Sequence, residues 1–189
     1  MSFPSEVLVY VGRFREFKRD DVIVYVAWIG LMLGLCFATG GFLGVGAAHG
    51  VQFPAVAWLV PIGACVFTFS IAVDTIGHRT IYKDAISGGE NLVHSITIFA
   101  GVTSTVLLCA AYEHRDAFWI PAMVLTVLSF VYSFVDEAFH WRRYVKEHAD
   151  RVEMWSHVGI LVGHGTMMLG WWAWFFGGYA GVAETVRYF

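Results

Sequence analysis

Long apolar runs separated by short polar breaks organise this chain. Five stretches, roughly 22–46, 54–77, 91–112, 118–139 and 154–180, each offer the ~20 apolar residues that a helix needs to cross a bilayer core. Ahead of them, residues 1–21 set Phe3, Val7, Leu8, Val11, Phe14 and Phe17 at helical spacing among Arg13, Arg15, Lys18 and Arg19, the pattern of a helix lying in the membrane interface. His49, Gly50 and Pro54 mark the turn before the second span, and Glu113-His114-Arg115-Asp116 the turn before the fourth. Pro61 predicts a kink inside the second span, whereas Pro121 is expected in the first turn of the fourth, where proline is tolerated. Trp171, Trp172, Trp174, Phe175, Phe176 and Tyr179 close the last span as an interfacial aromatic belt. The expected fold is all-α and integral to the membrane: an interfacial segment, 1–21, then one domain, 22–189, with five transmembrane helices.

Composition agrees. The chain is 58% hydrophobic and 14% charged, against about 45–50% and 25% in soluble domains, and its mean hydropathy is +0.63. A net charge of −3 without a basic patch argues against a nucleic-acid partner. Cys36, Cys65 and Cys109 fall within apolar spans, where a thiol acts as a small hydrophobe, and no Cys-x-x-Cys motif is present. The polar start predicts no cleavable signal. With five spans, Arg13, Arg15, Lys18, Arg19, Arg79, Lys83, Arg142, Arg143, Lys146 and Arg151 share one side, and Arg115 and Arg187 the other. That asymmetry puts the N-terminus in the cytoplasm and the C-terminus outside an inner or plasma membrane.

An internal repeat carries the chemistry. Asp74 and His78, then Glu90 and His94, return as Asp136 and His140, then Glu153 and His157. Each acid stands four residues before its histidine, so on a helix the two share a face. Tyr82 recurs as Tyr144 at the same interval. The repeat, about 54–112 and 118–180, suggests two similar hairpins, spans 2–3 and 4–5, packed as a pseudo-two-fold four-helix bundle. All eight groups would then converge near the cytoplasmic face, with the first span bracing the outside.

Ionisable groups inside membrane spans are costly and mark functional sites. Four imidazoles and four carboxylates form a metal-ligand set of the kind found in ferritin-like bundles. Glu137-x-x-His140 matches the Glu-x-x-His motif of those bundles, but Thr75 stands at the equivalent place in the first copy, so the repeat favours Asp136 as ligand. Two metal ions are expected, with His78, His94, His140 and His157 as terminal ligands and Glu90 and Glu153 as bridging candidates. Asp74 and Asp136 would be ligands or would orient the imidazoles. Mixed imidazole and carboxylate ligation suits iron, manganese or zinc.

The motifs Asp74-x-x-x-His78 with His94, and Asp136-x-x-x-His140 with His157, resemble the paired metal motifs in the C subunit of the particulate methane and ammonia monooxygenases. The likeness covers about residues 74–101 and 136–164 and implies a membrane enzyme that oxidises small molecules with O2. Asp136 stands where that family has asparagine, the interval to the second histidine is longer by about one helical turn, and Glu90 and Glu153 have no evident counterpart. These departures favour iron over copper.

Among neighbouring residues, Tyr82 and Tyr144 are candidates to hydrogen-bond a ligand carboxylate, and His164 to line a path to the centre. His49, His114 and His148 lie near loops and read as ordinary polar residues. The expected function is an O2-dependent dinuclear-metal oxidoreductase, most readily di-iron, acting on a lipid-soluble or small apolar substrate, with a redox partner or a second copy of the chain as possible partners. The alternatives are a metal-ion or proton transporter, a zinc-dependent membrane hydrolase, a bis-histidine haem carrier and an accessory subunit held together by the cluster.

Overall fold

The computed structural model describes residues 2–82, 88–147 and 150–189; Lys83 and His148 lie outside them. Among the described residues all regular structure is helical: α1 (Phe3–Gly12), a 3₁₀ turn (Arg13–Glu16), α2 (Arg19–Ala48), α3 (Ala55–Thr80), α4 (Gly88–Ala110), α5 (Arg115–Glu147), α6 (Arg151–Phe176) and α7 (Val182–Val186). Helices α2 to α5 are long and apolar enough to cross a membrane. Even α4, the shortest of the four at 23 residues, is about 35 Å long at 1.5 Å per residue. Phe37, Phe69, Phe99 and Phe134 on these helices are more than half exposed, a surface suited to lipid. Four such helices mark an integral membrane protein. The 26-residue α6 is not among them; its glycines, tryptophans and histidines dilute its apolar character.

Helix ends follow local chemistry rather than the edges of the apolar runs. Asp21, in the first turn of α2, accepts the Lys18 N–H at 3.2 Å, one half of a capping box. Gly50 closes the same helix with φ +84°, and the Val51 and Gly50 N–H groups bond back to Gly46 and Ala47. Gly178 closes α6 in the same way, with φ +72°. Helix α5 begins at Arg115, earlier than its apolar run, because Arg115 and Asp116 form its first turn, where an acid meets the positive end of the helix dipole. Pro121 therefore lies beyond the first turn.

The chain divides into two compact units, Met1–Val22 with Ala72–Val158, and Ile23–Ile71 with Gly159–Phe189. In the second unit, backbones meet through glycine. A Cβ at Gly63 would strike the Met167 and Gly163 backbone, and one at Gly163 the Phe67 backbone, the close packing that small residues permit between helices in lipid. In the first unit α4 and α5 pack together. Ala100, Ser104 and Leu108 on α4 are fully buried, as are Ala122 and Ser129 on α5. The serine hydroxyls stay satisfied by donating to carbonyls of their own helices, Ser104 to Gly101 and Ser129 to Thr126, each at 2.8 Å. This first unit holds every charged member of the repeat.

Candidate metal centre

Four helix segments of the first unit converge. Asp74 and His78 come from the last turns of α3, Glu90 and His94 from the first turns of α4, Asp136 and His140 from α5, and Glu153 and His157 from the first turns of α6. Their charge order suits the backbone: Glu90 and Glu153 occupy N-terminal turns, and His78 a C-terminal one. The four imidazole centroids all lie within 6.3 Å of one another, and the His140 and His157 rings stack at 3.4 Å.

Six of the eight residues offer converging donor atoms. Three groups, His78–His94–His140, Asp74–His78–His157 and Asp136–His140–His157, each place one ligand atom per residue within 4.8 Å of the others. Imidazole and carboxylate atoms approach closely, His94 Nδ1 to Asp136 Oδ1 at 2.7 Å and His157 Nε2 to Asp74 Oδ1 at 2.9 Å. Yet these atoms, together with His78 Nε2, His140 Nε2 and His157 Nδ1, are buried without a hydrogen bond among the described residues. Imidazole and carboxylate atoms gathered this closely fit a metal-ligand set.

Glu90 and Glu153, the expected bridging ligands, have another partner. The Arg143 guanidinium donates to Glu153 Oε1 at 2.7 Å and to Glu90 Oε1 at still closer range. Glu153 Oε1 also lies 2.9 Å from His140 Nδ1. A carboxylate on one imidazole nitrogen turns the other toward a metal, and the other nitrogen, Nε2, is the atom left without a hydrogen bond. Asp74, Asp136, Glu90, Glu153 and Glu137 bring five carboxylates to one place, and Arg143 brings one cation. With neutral imidazoles these groups sum to a formal charge of −4. Two divalent ions would neutralise it.

Arg143 and Tyr10 are unexpected here, and Glu137, which matches the Glu-x-x-His motif but yields to Asp136 in the repeat, stands beside them. Glu137 Oε1 lies 3.5 Å from His157 Nδ1. Arg143 looked like one more cytoplasmic cation; its position three residues after His140, on the same face, was the available signal. Tyr10 of α1 is buried against α3 at Gly77. It falls on the stripe Phe3, Val7, Tyr10, Phe14 and Phe17, whose alternating spacing of four and three marks one helix face.

The two repeated tyrosines differ. Tyr82 is buried beneath the Arg143 guanidinium, which sits 5.1 Å over its ring, and its hydroxyl accepts the Asp150 N–H at 3.4 Å. Burial, with the Glu153 carboxylate, pushes its phenol well above the ordinary value. Tyr144 tilts against Trp141 at 6.1 Å. His164 belongs to the second unit, where it is buried against Phe67 at 5.7 Å.

Comparison of the chain with protein-family models, with curated proteins and with solved structures finds no match.

Proposed function

We propose that the chain is a membrane-embedded oxidoreductase with a dinuclear, non-haem iron centre that uses O2 on a small apolar or lipid-soluble substrate. One observation carries the reading: Asp74–His78–His157 and Asp136–His140–His157 are each two histidines and one aspartate. Two imidazoles and one carboxylate with open coordination positions are the ligand set of non-haem iron oxygenases. His157 is common to both groups and the His140 ring stacks on it, so the two sets adjoin. The carboxylates weigh against copper, zinc takes two histidines and one carboxylate equally well, and iron is chosen for the O2 chemistry of the proposed reaction. The motif-level resemblance to the membrane monooxygenases points to the same class of reaction.

The chain's own groups divide the work. Asp74, Asp136 and the four histidines would hold the ions, His94 completing the set beside Asp136. Arg143 clamps Glu90 and Glu153, and Glu153 fixes the His140 ring through Nδ1. Iron held there would supply the one-electron chemistry for O2, and a redox partner would supply the electrons. Apolar helix surfaces give a lipid-soluble substrate its approach. We extend the reading to α6 as a fifth crossing, to the pseudo-two-fold pairing of the hairpins, and to a centre near the cytoplasmic face. Oxygen uptake tests the function. Iron-loaded protein in detergent, given a chemical reductant, should consume O2, and His157→Ala should not; equal rates for the two would defeat the proposal.

A further inference from the structure

Tyr10 lies on a helix that contributes no donor to the centre, yet it is only 1% exposed. Its hydroxyl sits where a Cβ at Gly77 would have to be, so glycine is what admits it. Gly77 precedes His78 directly and follows Asp74 by one helical turn on the same face. The approach is anchored one turn earlier on α1. Glu6 receives Arg151 Nε at 2.9 Å and Nη2 at 2.8 Å, and Arg151 opens the helix that carries Glu153 and His157.

The Tyr10 hydroxyl makes no hydrogen bond among the described residues, and neither does the buried Asp74 Oδ1. A buried hydroxyl without a partner leaves its desolvation uncompensated. Burial, and then the Asp74 carboxylate, push the phenol far above its ordinary value. A phenol O–H is a donor. We propose that Tyr10 is a ligand-binding residue of the centre, its O–H donating a hydrogen bond to a small anionic or oxygen-donor ligand held at the metal ions beside Asp74. This inference rests on the metal-centre reading above. It makes α1 a wall of the site and gives Gly77 its reason.

Azide binding to the iron-loaded full chain, oxidised and in detergent, tests it by isothermal titration after iron content has been measured. Tyr10→Phe keeps the ring and should keep the iron, while weakening azide about tenfold through loss of one charge-assisted hydrogen bond. Unchanged azide affinity at full iron content would overturn the proposal, as would an iron-loaded wild type that binds no azide. Loss of iron in Tyr10→Phe would also overturn it, assigning Tyr10 to holding the centre together. A wild-type chain that takes up no iron would instead remove the metal centre itself, and the azide role with it.

Discussion

Replacing Arg143 with methionine isolates the buried ion network from the metal ligands. The guanidinium and both carboxylates are almost fully removed from solvent, with side-chain exposures of 10%, 4% and 3% for Arg143, Glu90 and Glu153. Removing one partner of a buried pair costs about 3–5 kcal/mol, because the remaining charge stays desolvated and unpaired. At about 2–4 °C per kcal/mol for a chain of this size, metal-free Arg143→Met should melt roughly 6–20 °C lower in detergent. The triple variant Arg143→Met/Glu90→Gln/Glu153→Gln leaves neither Glu90 nor Glu153 charged without its partner and should recover most of the loss, since neutral replacements of buried pairs are often tolerated. Thermal unfolding followed by circular dichroism reads both. A fall below about 2 °C, inside what a single solvent-exposed pair contributes, or a triple variant less stable than Arg143→Met, would refute the clamp.

Glu153→Gln should keep two ions per chain while weakening metal affinity about 10- to 100-fold, as expected for a group that orients His140; loss of an ion, seen in metal titration, would make Glu153 a ligand. Gly63→Ala should destabilise the second unit by about 1–3 kcal/mol, since its Cβ meets backbone, whereas Gly34→Ala, with open space around it, should be neutral or stabilising by up to about 1 kcal/mol, both read by chemical denaturation. The half-buried Glu6 carboxyl is held below its ordinary value of 4.5 by its hydrogen bond to Arg151. Its contribution to docking α1 is therefore fully present above that value and lost as pH falls through the lowered one. A fluorescent probe on α1 should report release at acidic pH in the wild type and no such transition in Glu6→Gln.

The parts of this site that were legible in the sequence are those set by helix periodicity. Asp74/His78 and Asp136/His140 share a face at four-residue spacing, and the repeat brought His94 and His157 in by symmetry. What the symmetry hid is where the two halves differ. Arg143 corresponds to Ile81 in the first copy, so the repeat does not point to it, and Glu137 corresponds to Thr75, which is why the repeat ranks it behind Asp136. Glu90 and Glu153 lie beside the histidines, but which neighbour a carboxylate binds depends on side-chain reach from another helix, and Arg143 supplies that neighbour. Tyr10 required knowing that α1 docks at Gly77, a tertiary contact between distant parts of the chain. Among the spans, α5 shows the same limit: hydropathy locates where a helix is apolar, while Arg115 and Asp116 decide where it begins.

The central claim is that Asp74, His78, His94, Asp136, His140 and His157 hold a pair of metal ions. Elemental mass spectrometry of the full chain, purified in detergent after growth in iron-replete medium, tests it most directly beside a His78→Ala/His140→Ala variant. The account predicts about two iron atoms per wild-type chain, in line with a dinuclear centre, and none in the variant. A wild type without stoichiometric metal, or a variant that keeps its full complement, would contradict it.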